Sequence, residues 1–237
     1  MVRRVVVRRV WDLSPTVKSF RFSLVDGAAL TYAPGQWVNL HVDLGAGETD
    51  KRAYSIASAP DPRHPDEFEV AVTRVDEGSV SLALHALVPG DEIGMEGAYG
   101  YFTRTDTVSQ PALFVATGTG VCPLRAMIEA ELRVREGPKI ALLLGCRSEV
   151  DILYREQFEA LAREHARFTF HTTLSRPSPQ WVGRRGYVQN QLADVIDVDQ
   201  RPHVYICGLS TMVDEVRSTL KRDLGYDRKL LHSERYD

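Results

Sequence analysis

Apolar and polar positions alternate through the first hundred residues: Phe20, Phe22 and Leu24, then Val38, Leu40 and Val42, then Phe68, Val70 and Val72. A period of two puts every second side chain on one face, the pattern of a half-buried strand. Turn-forming stretches separate the runs at Asp26-Gly27, Pro34-Gly35, Gly45 to Asp50, Asp61 to Asp66 and Pro89-Gly90. Short strands so spaced predict an N-terminal antiparallel sheet closed into a small Greek-key β-barrel. Ser79 or Ser81 is expected to cap one short helix carrying Leu82, Leu84, His85 and Leu87.

Past about Asp106 the pattern changes. Phe114 to Ala116, Ile140 to Leu144, Phe168 to Thr173 and Val204 to Cys207 are continuously apolar, as strands covered on both faces are. Between them, Pro123 to Val134, Leu153 to His165 and Ser210 to Leu224 have helical period, the last with Val213, Val216, Leu220 and Leu224 three or four apart. The expected fold class is therefore a barrel, residues 1–106, followed by an α/β parallel-sheet domain, residues 107–237, with Arg104 to Pro111 joining them.

Composition narrows the function classes. A chain of 237 residues with 43% hydrophobic content supports one large core or two ordinary ones. A net charge of -3 argues against a protein dominated by nucleic-acid phosphate contacts. The longest apolar runs are about a quarter of the ~20 residues a membrane span requires. Met1-Val2-Arg3-Arg4 leads into a strand without the apolar stretch of a secretory signal, so a cytoplasmic location is expected. Cys122, Cys146 and Cys207 lack metal-type spacing, which supports neither a disulfide framework, a metal site nor an iron-sulfur cluster.

The first chemical signal is Thr117-Gly118-Thr119-Gly120-Val121-Cys122-Pro123, running from a buried strand into a helix. Glycines let a backbone approach a pyrophosphate, and the free amides of a helix N-terminus favour its charge. Taken alone, the loop is equally a tight turn. It is neither the six-residue dinucleotide fingerprint nor a P-loop.

The order of motifs is more specific: Pro34-Gly35-Gln36-Trp37, Arg52-Ala53-Tyr54-Ser55, Gly78-Ser79-Val80-Ser81, Gly118-Thr119-Gly120 with Pro123, Ser175-Arg176, Cys207-Gly208-Leu209 and Glu234-Arg235-Tyr236. Over essentially the whole chain this series resembles the ferredoxin-NADP reductase family. The resemblance implies a barrel that holds FAD and a parallel sheet that holds NADP(H), with NAD(H) as the alternative nucleotide.

Site roles follow from the resemblance, residue by residue. Arg52 is expected at the FAD pyrophosphate, Tyr54 against the ring system beside Ala53, and Ser55 near the hydride-accepting nitrogen. Each suits its chemistry: a guanidinium fork for phosphate, a flat amphipathic ring, a small hydroxyl. Gly78, Val80 and Ser81 resemble a second pyrophosphate contact, with a plain helix cap as the bland alternative. Gly118, Thr119, Gly120 and Pro123 match the nucleotide loop. Ser175, Arg176, Arg185 and Tyr187 look like the group that reads an adenosine 2'-phosphate, with Arg184 and Arg147 behind them; a solvated basic loop is the other reading. Cys207 and Gly208 end a buried strand, where open sheets place ligands, and by resemblance Cys207 shapes the nicotinamide pocket. Glu234 is implied as a proton relay near Ser55, and Tyr236 as an aromatic stacked on the flavin, although the added Asp237 departs from the plant-type ending.

The activity this implies is hydride exchange between NADP(H) and FAD, followed by single-electron exchange with a separate ferredoxin or flavodoxin-type carrier. Two rivals stay open. One is the reductase component of a multicomponent oxygenase; the other is a flavin-holding electron-transfer subunit that reduces no free nucleotide.

Overall fold

The alternating segments form the strands of one sheet and the continuously apolar segments those of a second. A computed structural model describes residues 1–45, 47–104, 108–197 and 200–236. The expected boundary between Asp106 and Thr107 lies outside the described residues, as does Asp237. Among the described residues no helix is long and apolar enough to cross a membrane.

The first sheet contains β1 (Arg3–Ser14), β2 (Val17–Leu24), β3 (Trp37–Gly45), β4 (Glu48–Ser55), β5 (Glu67–Thr73) and β6 (Glu92–Tyr99), in the order β4-β3-β6-β1-β2-β5. All its named pairings are antiparallel, and a bridge between Ile56 and Val70 draws its two ends together. The interior is the set marked by the alternation. Phe20, Phe22, Leu24, Val38, Leu40, Val42, Phe68, Val70 and Val72 share one core. Phe22 lies opposite Phe68 in register, their rings 5.6 Å apart, so cross-strand packing helps hold the pairing.

Helix α1 (Ser79–Ala86) packs Val80 and Leu84 into this core. Neither serine caps it, contrary to expectation. Gly78 is the N-cap and no side chain caps the end, while the Ser81 hydroxyl turns back to the Val75 and Gly78 carbonyls.

The second sheet contains β7 (Ala112–Thr117), β8 (Ile140–Cys146), β9 (Phe168–Leu174), β10 (Arg184–Arg185), β11 (His203–Leu209) and β12 (Leu231–Tyr236), in the order β10-β9-β8-β7-β11-β12, all parallel. Helices α2 (Val121–Leu132) and α3 (Arg155–Glu164) cover one face; α4 (Leu192–Val195) and α5 (Ser210–Arg222) cover the other. Alternate residues of β7 enter opposite cores, Phe114 and Ala116 on the first face, Leu113 and Val115 on the second. That explains a strand apolar at every position.

The cluster under α2 also takes in Val17, Ala57, Ala71 and Phe102 from the barrel. The two sheets thus pack through a continuous apolar layer.

Candidate active site between the two sheets

Strand order decides where the second sheet can take a ligand. From β7 the chain moves outward to β8, β9 and β10, then returns to place β11 on the other side of β7. Such a reversal opens a crevice at the carboxyl ends of the two strands. The glycine loop leaves β7 there and Cys207-Gly208 lies near the end of β11. The loop forms a single helical turn, Gly118–Gly120, which passes directly into α2 with no side chain capping its N-terminus. Gly118 has φ of +53°, a conformation suited to glycine, with open space where a Cβ would point. Gly120 is required for the opposite reason: a Cβ there would collide with the Cys207 carbonyl. The tips of β7 and β11 therefore touch. Pro123 occupies the first turn of α2, where its missing N–H costs nothing.

Strand β12 completes the crevice. It pairs with β11 so that Cys207 lies opposite Glu234 and Leu209 opposite Tyr236. Its side chains alternate. The Ser233 hydroxyl accepts from Arg217 at 3.0 Å and Arg235 pairs with Asp214, both on α5. Glu234 and Tyr236 consequently face the barrel. The Tyr236 hydroxyl donates to Ser55 Oγ, and Ser55 Oγ donates to Glu234 Oε1 at 3.4 Å, joining groups 179 and 181 positions apart. Cys207 is fully buried. Ser55, Cys207, Glu234 and Tyr236 thus converge on one point between the sheets.

Burial sets the protonation of this cluster. Glu234 is pushed up to about 7 by loss of solvent, while the Ser55 hydrogen bond pulls the other way. A carboxyl balanced there gives up or accepts a proton near neutrality. Burial raises the Cys207 thiol well above its ordinary value, with the Glu234 charge adding to it, so Cys207 is held as a neutral thiol.

The barrel side offers an open strand edge. β4 ends the sheet order, and Lys51, Arg52 and Ala53 are exposed while Ser55 is buried. Tyr54 is partly covered, and burial raises its phenol to about 12 against the lowering influence of nearby Arg52. The Arg52 guanidinium folds back on Asp50 Oδ1 at 2.9 Å and the Lys51 carbonyl at 2.8 Å. The uncapped start of α1, with Gly78, Val80 and Ser81, belongs to a helix packed on β3, β5 and β4.

These features suit a flavin and a nicotinamide nucleotide: an open strand edge with an arginine, the N-termini of α1 and α2, and a buried hydroxyl that has no hydrogen-bond partner among the described residues. That hydroxyl is Thr117 Oγ1 at the tip of β7. The sequence places Thr117 at the head of the glycine loop and assigns it no role of its own; its only signal is its place as the last strand residue before the glycines.

The remaining expected group gathers at the end of β9. Arg185 lies in register with Leu174, beside Ser175. The Arg176 amide bonds the Arg147 carbonyl at 2.7 Å, and Arg147, Arg176 and Tyr187 are exposed. Two members are otherwise engaged. Arg185 donates to the Ser178 and Trp181 carbonyls at 3.3 and 2.7 Å, and Arg184 pairs with Asp194 at 3.0 Å.

Known proteins agree with this layout. The family model described as an oxidoreductase FAD-binding domain matches residues 4–103, and that described as an oxidoreductase NAD-binding domain matches 114–218. The ferredoxin--NADP reductase B of Sorangium cellulosum is 48% identical over 243 aligned residues, covering 99% of this chain and 96% of that protein. The chain belongs to the ferredoxin-NADP reductase family. Like other members of the family it is a flavin oxidoreductase, with FAD in the barrel and a nicotinamide nucleotide at the parallel sheet. The phenol hydroxylase P5 protein of Acinetobacter pittii is 31% identical across 97% of this chain, which spans 64% of that relative's length. Among solved structures, the flavohem-like FAD/NAD-binding domain of a Vibrio cholerae nitric oxide dioxygenase superposes with a TM-score of 0.87 at 25% identity, covering 99% of this chain and 98% of that one. A Neisseria gonorrhoeae ferredoxin NADP+ reductase with bound FAD and NADP shares the fold at a TM-score of 0.82 and 20% identity, covering 99% and 98%.

Proposed function

We propose that this protein exchanges hydride with NADP(H) in the cleft between its sheets and passes single electrons to a separate ferredoxin-type carrier. The observation that carries the reading is the meeting of Ser55 with Glu234 and Tyr236, which also neighbour Cys207. Residues 1–106 serve as the FAD half and 107–237 as the nucleotide half, in a cytoplasmic protein.

Bound FAD supplies the two-electron to one-electron conversion. The chain supplies the rest. Arg52 would hold the pyrophosphate of the FAD, and the amides at the start of α1 would also donate to it. Tyr54 and Ala53 line the ring, and Ser55 presents its hydroxyl to it. On the second sheet, Gly118, Thr119, Gly120 and Pro123 hold the nucleotide diphosphate, with Thr117 Oγ1 free to bond the nucleotide. Cys207 and Gly208 shape the nicotinamide pocket. Tyr236 covers Ser55 through its hydroxyl and excludes water from it, and would have to yield for a nicotinamide to reach the same place. Glu234, balanced near 7, holds or releases a proton at its Oε1 through the Ser55 hydroxyl. Ser175, Arg176 and Tyr187 receive a 2'-phosphate, with Arg147 next to them and Arg185 bracing the loop.

Anaerobic titration of the flavin-loaded protein with NADPH and separately with NADH tests this. NADPH is expected to bleach the flavin at lower concentration, and the reduced protein to reduce ferredoxin or flavodoxin. No bleaching by either nucleotide would leave only a flavin-holding subunit. The similarity to phenol hydroxylase P5 favours one variant of the reading, in which the carrier is an oxygenase component. Reduction of neither carrier by a protein that NADPH bleaches would point there.

A further inference from the structure

Away from the Ser55 cluster, a second set of residues joins the halves. Arg125, on the second turn of α2, is buried and crosses to the barrel, where Nη1 donates to the Ala57 carbonyl at 2.7 Å and to Glu69 Oε2 at 2.8 Å. Its other nitrogens stay on its own side, Nε to Gln157 Oε1 and Nη2 to Glu129 Oε1, each at 2.8 Å. The guanidinium lies over the Tyr154 ring, 4.4 Å from its centroid. Around it the barrel segment is gripped further. Glu129 Oε2 accepts from the Ala59 amide at 3.0 Å, Arg133 donates to the Pro60 and Ala59 carbonyls, and Glu69 is also held by Arg21 at 2.7 Å.

The location matters as much as the bonds. Ala57 stands two residues beyond Ser55, and α2 begins directly after Gly120. One guanidinium thus ties the end of the flavin strand to the helix that opens with the nucleotide loop. We propose, on the functional reading above, that Arg125 is a positioning residue for hydride transfer, fixing how far the flavin strand stands from the nicotinamide loop. Apolar contacts between the sheets slide at little cost, whereas in-plane hydrogen bonds to four acceptors do not. A buried ion network is a weak device for stability alone, because desolvation offsets much of its attraction. Its use here is directional.

The test compares the flavin-loaded wild type with Arg125→Met, Arg125→Lys and, as a control, Arg63→Ala. Arg63 lies in the same connection, pairs among the described residues with Asp61 at 3.1 Å, and its side chain is 84% exposed. Flavin content, the NADPH concentration for half-saturation, the limiting rate of flavin reduction in anaerobic stopped flow, and amide exchange across residues 57–59 are measured on each. Misplacement of reacting groups by about 1 Å costs on the order of 100-fold in rate. Arg125→Met is therefore expected to keep its flavin and bind NADPH within about 3-fold of wild type, while its limiting rate falls at least ~10-fold. Exchange at 57–59 accelerates, Arg125→Lys recovers part of the rate, and Arg63→Ala matches wild type.

A limiting rate within about 2-fold of wild type in Arg125→Met would overturn the proposal. So would equal losses in rate, nucleotide binding and flavin retention, which mark general loosening. If Arg125→Met does not fold, Gln157→Leu removes the acceptor of Arg125 Nε and the donor to Glu129 Oε1, and should lower the limiting rate about 3-fold with NADPH binding intact; an unchanged rate would again overturn it. A wild type that NADPH does not bleach would refute the functional reading, and exchange at 57–59 would still show whether Arg125 holds that segment.

Discussion

Replacing Glu234 with Gln removes a titratable group from the cleft while keeping its shape. Burial holds this carboxyl at about 7 in the folded protein, against an ordinary value of 4.5. Between those values the folded chain keeps a proton that the unfolded chain has released, so this site makes stability fall as pH rises. Moving the titration midpoint that far corresponds to about 3 kcal/mol. Water reaching the half-buried carboxyl reduces it to ~1–2 kcal/mol. Gln carries no charge at any pH and escapes the cost. The stability advantage of Glu234→Gln should be nil below about pH 4.5, reach roughly a quarter of its full value at about pH 5, and be complete above about pH 7. Urea midpoints of the flavin-free wild type and variant, taken at about pH 5 and about pH 8, measure it. A difference of equal size at both pH values, or a variant less stable at the higher one, would refute the assignment of Glu234 as a carboxyl held neutral by burial.

Gly120→Ala forces a methyl group into the Cys207 carbonyl, and should destabilise the protein by about 1–3 kcal/mol and abolish bleaching by NADPH, measured by thermal melting and anaerobic titration. Arg176→Ala should weaken NADPH by about 10-fold or more and leave NADH within about 2-fold, because an exposed guanidinium is freely available to a phosphate. Arg185→Ala should instead lower the melting temperature, since that side chain braces the loop through the Ser178 and Trp181 carbonyls. Equal effects of the two variants on NADPH would show that Arg185 also meets the phosphate. Ser55→Ala should retain flavin and slow its reduction by roughly 10- to 100-fold, and stopped-flow reduction at saturating NADPH decides this.

Much of this was legible in the amino-acid order because the physics behind it is local. Alternation in Phe20 to Leu24 and Phe68 to Val72 reports one buried face, and unbroken apolarity in β7 and β8 reports two. Gly118 carries its reason in its own backbone, whereas the reason for Gly120 is the Cys207 carbonyl of a distant strand. Strand β12 gave a weaker signal. Its sequence, Leu231 to Tyr236, is mixed in polarity because Ser233 and Arg235 bond α5 while Glu234 and Tyr236 face the barrel. An edge strand polar on both sides has no hydrophobic period to read. At the start of α1 a serine near a helix end suggests a cap, and only the folded turn shows Ser81 spent on Val75 and Gly78.

By itself, then, the sequence determined two sheets of different kind, their order, and the loops that suit a flavin and a nucleotide. Tertiary structure alone decided which distant groups meet. Ser55 and Glu234 come within hydrogen-bond reach because β12 pairs beside β11 and the sheets pack through the layer under α2. Arg125 carries no local mark at all: in sequence it is one arginine in a helix. Its role exists only once the two sheets are packed together, where burial forces its charge to find Glu69, Glu129 and the Ala57 carbonyl.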